Sequence, residues 1–311
     1  MQALIDVILP VFLVIGAGYA AVWRGWFSND AVDGLMKFTQ NFALPCLLFR
    51  AIWQLDLGQS FDIALLGSFY AGALAGFCAG YLGARYLFGR DVEDSIAIGF
   101  CGLFSNSLML GLAITERAYG ASALEANYAI VAVHAPFCYA VGITAMEVAR
   151  AHARGEGLTR LPMTVGRAMF SNALILGIAL GFAFNLGGIG LPDPAAEAID
   201  MMVRTALPCA LFGLGGILYR YRPEGDLRVI AFVCALSLIL HPAITYMMGR
   251  STGLTSAEMR SAVLTASMAP GVNTYLFANM YGRAKRVAAS AVLISTALSI
   301  VTIWGWLHLL P

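Results

Sequence analysis

Charged residues are scarce in this 311-residue chain: Asp, Glu, Lys and Arg fill 12% of positions, against about 25% in a soluble domain. With 59% of positions hydrophobic, too few polar side chains exist to cover a water-soluble fold. That excludes an ordinary cytosolic domain and leaves a polytopic membrane protein. The net charge is only +1, so no basic field exists for nucleic acid. Cysteines occur without any C-x-x-C pair: Cys46, Cys78, Cys101, Cys138, Cys209 and Cys234 all sit in apolar runs. They read as small buried hydrophobes rather than metal ligands or a disulfide framework. The opening "MQALIDVILPVFLVIGAGYAAVWR" has no basic stretch before its apolar run, so it does not read as a cleaved signal peptide. No Walker loop, H-E-x-x-H or G-x-S-x-G occurs, and intramembrane acids are not paired at short helical spacing. Together these absences argue against a membrane-embedded enzyme, and no cofactor or metal is expected. A cluster of acids resembling a sodium site is also missing, as is a soluble output domain of the kind a sensor carries.

What is present is a series of apolar segments. Crossing a bilayer takes about 20 apolar residues, and breaks at charged or Gly/Pro clusters leave ten segments. They lie near 3–23, 32–54, 62–88, 95–115, 123–149, 164–186, 194–219, 228–249, 257–281 and 287–309. Connections after odd-numbered segments hold twelve basic residues, among them Arg24, Arg90, Arg150, Arg220 and Arg283. Those after even-numbered segments hold three: Arg117, Arg250 and Arg260. By the positive-inside rule the odd connections face the cytoplasm and both termini lie outside.

The chain also repeats itself. "ALPCLLF" (43–49) returns as "ALPCALF" (206–212), 163 residues later. "GYA" (18–20) and "GFA" (181–183) share that offset, and "AYG" (118–120) and "MYG" (280–282) are 162 apart. The expected organisation is a first five-helix repeat over 1–150, a cytoplasmic linker at 151–163 and a second repeat over 164–311. Five is odd, so the second copy enters the membrane from the other side. Inverted repeats of this kind let one midplane site face either side in turn, which is the design of a secondary transporter.

Such sites form where helices are interrupted. Segment nine carries "SMAPGVNTYLFANMYG" (267–282). Pro270 removes an N–H and Gly271 frees the backbone, so a break is expected there, with Asn273 and Thr274 just beyond. Segment four offers "LFSNSLMLG" (103–111), with Ser105, Asn106 and Ser107 together. Amides keep donors and acceptors at every pH, and two of them beside helix N-termini could hold a carboxylate. Packing between helices is the competing role for any one Asn or Ser; their matched placement in both repeats favours a site. His134 lies in mid-segment five, either as a pH-sensitive ligand contact or as a neutral donor to a carbonyl freed by Pro136. Asp200 and Arg204, spaced i, i+4, could pair with each other. Ser68, Gly72, Gly76, Gly80 and Ala84 make a small-residue ridge suited to close helix packing.

"NFALPCLLF", "SNSLMLGL", "HPAITY" and "APGVNTYLFANMYG" resemble the auxin efflux carriers and their bacterial relatives, which include malonate carriers. The resemblance covers nearly the whole chain. It implies an all-α fold of ten transmembrane helices in two inverted five-helix repeats, with helices four and nine broken and crossing at mid-membrane. It implies a lipid-embedded scaffold of helices 1, 2, 6 and 7 that forms a homodimer, and a transport domain of helices 3–5 and 8–10. It implies an inner-membrane carrier moving a small organic anion by an elevator motion. His134 and Tyr139 match positions near the substrate in plant relatives, and Pro45 and Pro208 would kink the scaffold. Family members often have Pro where this chain has Ala113, so the break in helix four would be milder or would rest on Gly111 alone.

Overall fold

A computed structural model of the chain describes residues 4–155, 161–170 and 172–311, so part of the expected linker lies outside the described residues. Among them there are helices and no strand. The elements are α1 (Leu4–Trp23), α2 (29–54), α3 (Ile63–Leu87), α4 (Val92–Leu103), α5 (107–119) and α6 (Ala121–Arg154). After them come α7 (Leu161–Phe170), α8 (Ala173–Leu186), α9 (Asp193–Arg220) and α10 (Leu227–Thr252). The last three are α11 (Ser256–Ala266), α12 (Val272–Tyr281) and α13 (Lys285–Leu309). Among the described residues six helices, α1, α3, α6, α9, α10 and α13, are long and apolar enough to cross a membrane. The other four expected segments do not meet that standard, three because their helices are short and α2, which is long enough, because its first half carries Asp30, Asp33, Lys37, Gln40 and Asn41. Segments four and nine are interrupted and α8 has 14 residues, while α2 runs unbroken through a π-helical turn at Thr39–Ala43 just before Pro45.

Local signals set many boundaries. Asp91 accepts from the Asp94 N–H at the start of α4. Thr255 and Glu258 form a reciprocal capping box at the start of α11. Gly155, Gly253 and Gly282 adopt left-handed conformations where helices end. Pro208, by contrast, sits inside a continuous α9.

The most extensive helix pairings fall into two groups, with buried side chains continuing between them. α1 lies along α9, and α2 along α8 and α9; α3 lies along α4 and α10, and α4 along α6. The duplicated heptapeptide supplies a reciprocal fit. A Cβ on Gly18 would strike the carbonyl of Phe212, and one on Gly181 would meet the carbonyl of Phe49. These are equivalent positions at the 163-residue offset. The α3 ridge behaves as its spacing predicts, with Gly76 and Gly102 backbone to backbone and Ser68 bonded to Thr252.

Ion pairs gather at one end of the bundle. Arg150 and Arg283 both hold Glu93, Arg283 also reaches Asp91, Arg90 meets Asp226, and Arg220 meets Asp33. Residues from the even connections meet at the other end, where Arg117 donates to the Asp6 carbonyl and Arg260 to that of Pro311. Asp200 does not take Arg204 as its partner. Its carboxylate lies 2.7 Å from Arg50 on α2, because a contact across helices brings a guanidinium closer than the next turn does.

Candidate functional site

The interruption between α4 and α5 occupies Phe104–Asn106, with Phe104 extended at φ −97°, ψ 92° and Asn106 at φ −77°, ψ 55°. Gly111 is not its support: it lies five residues on, within helix, and a Cβ there would meet only ordinary contacts. What holds the break open is its counterpart. Ser105 and Pro270 form an antiparallel bridge, in which the Asn106 N–H donates to the Ala269 carbonyl at 2.8 Å and the Gly271 N–H to Phe104 at 3.0 Å. Both donors flank the bridged pair, so proline fits the position without leaving an acceptor unmet.

Beside this crossing is a cavity of about 390 Å³. Of the residues proposed from sequence, Ser105, Asn106, Ser107, His134, Tyr139, Gly271 and Asn273 line it. Pro270 and Thr274 do not. Pro270 is in the bridge, and the Thr274 hydroxyl is buried and donates to the Gly271 carbonyl at 2.8 Å. Sequence spacing missed Gln40 and Asn41 on α2 and Asn172 ahead of α8, all of which line the cavity. The signal was available, since amides are rare in these apolar runs and "TQNFALP" has two directly before its proline.

Several polar groups here are unspent. The Asn106 Nδ2 and Ser105 Oγ are buried without a hydrogen-bond partner among the described residues. Neither α5 nor α12 has a side-chain cap at its N-terminus, so first-turn N–H groups remain open beside the cavity. Helix N-termini and an amide donor together attract a negative charge. His134 is 2% exposed, and its Nε2 donates to the Ser105 carbonyl at 3.1 Å. The carbonyl it serves is therefore one freed by the α4–α5 break, not by Pro136. Phe104 packs edge-on against the imidazole, with ring centroids 4.7 Å apart, and also meets Tyr139. The cavity thus has a polar floor at the crossing and walls of aromatic and aliphatic side chains, a common layout for small-molecule sites.

Residues 3–307 match the family described as membrane transport protein. The chain is 26% identical to a "Putative malonate transporter" of Rhizobium meliloti (strain 1021), over 100% of this chain and 97% of the relative. It is 21% identical to the "Uncharacterized transporter YfdV" of Escherichia coli (strain K12), over 97% and 96%. A "Probable auxin efflux carrier component 5b" of Oryza sativa subsp. japonica is 21% identical over 94% and 92%. Apolar helices of spanning length, a polar cavity where two helices are interrupted, and a match along nearly the full length make this an integral membrane transporter, and the chain belongs to the auxin efflux carrier family.

Proposed function

We propose that the protein is a secondary carrier for a small organic anion, a mono- or dicarboxylate of malonate or auxin-like size, held at the α4–α5/α11–α12 crossing. The observation that carries this reading is the buried, unpartnered Asn106 amide beside two uncapped helix N-termini. Those groups are donors, and a carboxylate is the ligand that satisfies donors without a counter-cation. Asn273 faces the same cavity from the equivalent helix and makes no side-chain hydrogen bond among the described residues. The printed name of the Rhizobium relative adds malonate as the first compound to try.

The wider mechanism follows from the repeat. Ten crossings, with α2, α4–α5, α8 and α11–α12 completing the set, put the ion-paired end in the cytoplasm and both termini outside. In this reading α1, α2, α8 and α9 form a dimeric scaffold, and the remaining helices carry the site in an elevator motion. The equivalent contacts at Gly18–Phe212 and Gly181–Phe49 support the symmetry, and the most extensive helix pairings, which stay within each set, support the division.

Isothermal titration of purified protein with malonate and a series of monocarboxylates tests the site. Asn106→Ala and Asn273→Ala should each weaken binding by roughly five- to a hundred-fold, the equivalent of about 1–3 kcal/mol, while the protein stays monodisperse. The double variant should lose less than the two losses combined, because both amides meet one ligand. Normal affinity in either single variant would place the anion elsewhere.

A further inference from the structure

A second cavity, of about 500 Å³, lies between α1, α5, α6 and α9. It is stacked on the first along the same helices. On α2, Leu48 lines the first cavity and Leu47 the second; on α5, Met109 lines the first and Leu112 the second; on α6, Val131 and Tyr128 divide likewise. At 1.5 Å of rise per residue, a three-residue step is about 4.5 Å. One layer of side chains therefore separates the two spaces. Leu47, Leu48, Met109, Leu112 and Val131 belong to a single buried apolar cluster, so the layer is dry.

The second cavity carries charge. Glu116, Arg117 and Arg204 line it, two cations against one carboxylate. Arg117 is committed, donating to the Asp6 carbonyl at 2.6 Å. Arg204 is not. The acid one turn before it, Asp200, is hydrogen-bonded to Arg50 and feels Arg204 only through space; Arg204 makes no ion pair or hydrogen bond among the described residues, and Glu116 lies beyond ion-pair reach. Arg204 is exposed where α9 turns from its acidic first turns to its apolar remainder, a depth from which a long guanidinium side chain reaches water. A net positive charge in a low-dielectric cleft concentrates anions there.

We infer that this cavity is the outer vestibule of the transport path and that Arg204 is an anion-gathering residue, holding a carboxylate one apolar layer away from the central site. The assignment rests on the carrier reading for the identity of the anion and for which face is outer. Its electrostatic part can be tested without any substrate. In a background whose six cysteines are replaced by serine, Leu207→Cys, whose side chain lines the vestibule, is labelled with a negatively charged and a positively charged thiosulfonate of similar size. Reaction is expected from the outer face. The ratio of anionic to cationic rates should drop about tenfold on adding Arg204→Gln and stay near the parent value with Arg204→Lys. Tyr128→Cys replaces Leu207→Cys should that variant not remain monodisperse. An unchanged ratio in Arg204→Gln overturns the role of the arginine, and labelling only from the cytoplasmic face overturns the vestibule. Should the ratio fall while no carboxylate binds to the parent protein, the vestibule stands and the substrate reading fails.

Discussion

The seam between α1 and α9 and the crossing of the two broken helices use repeated sequence in opposite ways. At the seam, Gly18 lets one backbone press on the carbonyl of Phe212, and every polar group nearby is already inside a helix. At the crossing, the uncapped first turns after Asn106 and Gly271 leave N–H groups open, and the Asn106 amide has no partner. The first arrangement tolerates no added atom. The second has atoms that want a partner. Repetition thus fixes where two halves meet, while the local residues decide whether the meeting is closed or receptive.

Several substitutions would break or sharpen this contrast. The largest effect is expected at the seam. Gly18→Leu forces a side chain into the Phe212 backbone and should abolish monodisperse protein on size exclusion, an overpacking cost of about 3 kcal/mol or more. Gly16→Leu on the same helix points into open space and should elute as wild type. Equal behaviour of the two would remove the close-packing explanation.

At the crossing the effect should fall on the ligand rather than on the fold. His134→Leu strips the Ser105 carbonyl of its donor, at a cost of about 1–3 kcal/mol. Carboxylate affinity should fall roughly tenfold because Ser105 and Asn106 lose their fixed geometry. His134→Gln, which can still donate, should recover most of it. Titration of both variants decides the matter, and an equal loss in the two would mean that the imidazole contributes by packing alone.

The ion-paired end gives a smaller, pH-dependent effect. Burial raises the Glu93 carboxyl, and hydrogen bonds from Arg150 and Arg283 outweigh it, so the group titrates below its ordinary range. A depressed carboxylate contributes stability that is complete above its unfolded-state value and lost as pH falls through its folded-state value. The thermal midpoint of the wild type should therefore decline as acid is added below about pH 4.5. Glu93→Gln should start a few degrees lower at pH 7 and show a shallower decline. Parallel acid profiles would contradict this account.

Thr274→Val is the mildest. It removes the bond to the Gly271 carbonyl, worth about 1 kcal/mol. A small drop in midpoint with affinity within twofold of wild type would set Thr274 apart from its neighbour Asn273. A large loss of affinity would return Thr274 to the site.

How much of this was legible beforehand depends on whether the cause was local. Pro270 and Gly271 announce their break because proline and glycine act through their own backbone. Gly72, Gly76 and Gly80 announce a helix seam by spacing alone. The break at Phe104–Asn106 has no such marker, since its cause is a pair of hydrogen bonds to residues about 165 positions away. Reading it as dependent on Gly111 looked for a local reason where the reason is tertiary. The same holds for Asp200, whose partner Arg50 lies on another helix, and for Asn172, whose place at the cavity depends on how α8 packs along α2. Gln40 and Asn41 are the exception: two amides before a proline were visible and should have been weighed with Asn106.

The bridge between Ser105 and Pro270 has a mechanical consequence. Two backbone hydrogen bonds rivet the start of α5 to the start of α12, so the groups that face the cavity from those helices keep fixed distances from one another. A ligand gripped by both cannot be freed by pulling the grip apart, because that would strand two buried backbone donors. In the carrier reading proposed above, release then comes from the walls: α2 and α8, which contribute Leu48, Gln40 and Ile178 to the cavity, would slide along a riveted pair that stays whole. The seat is rigid, and the doors are the other helices.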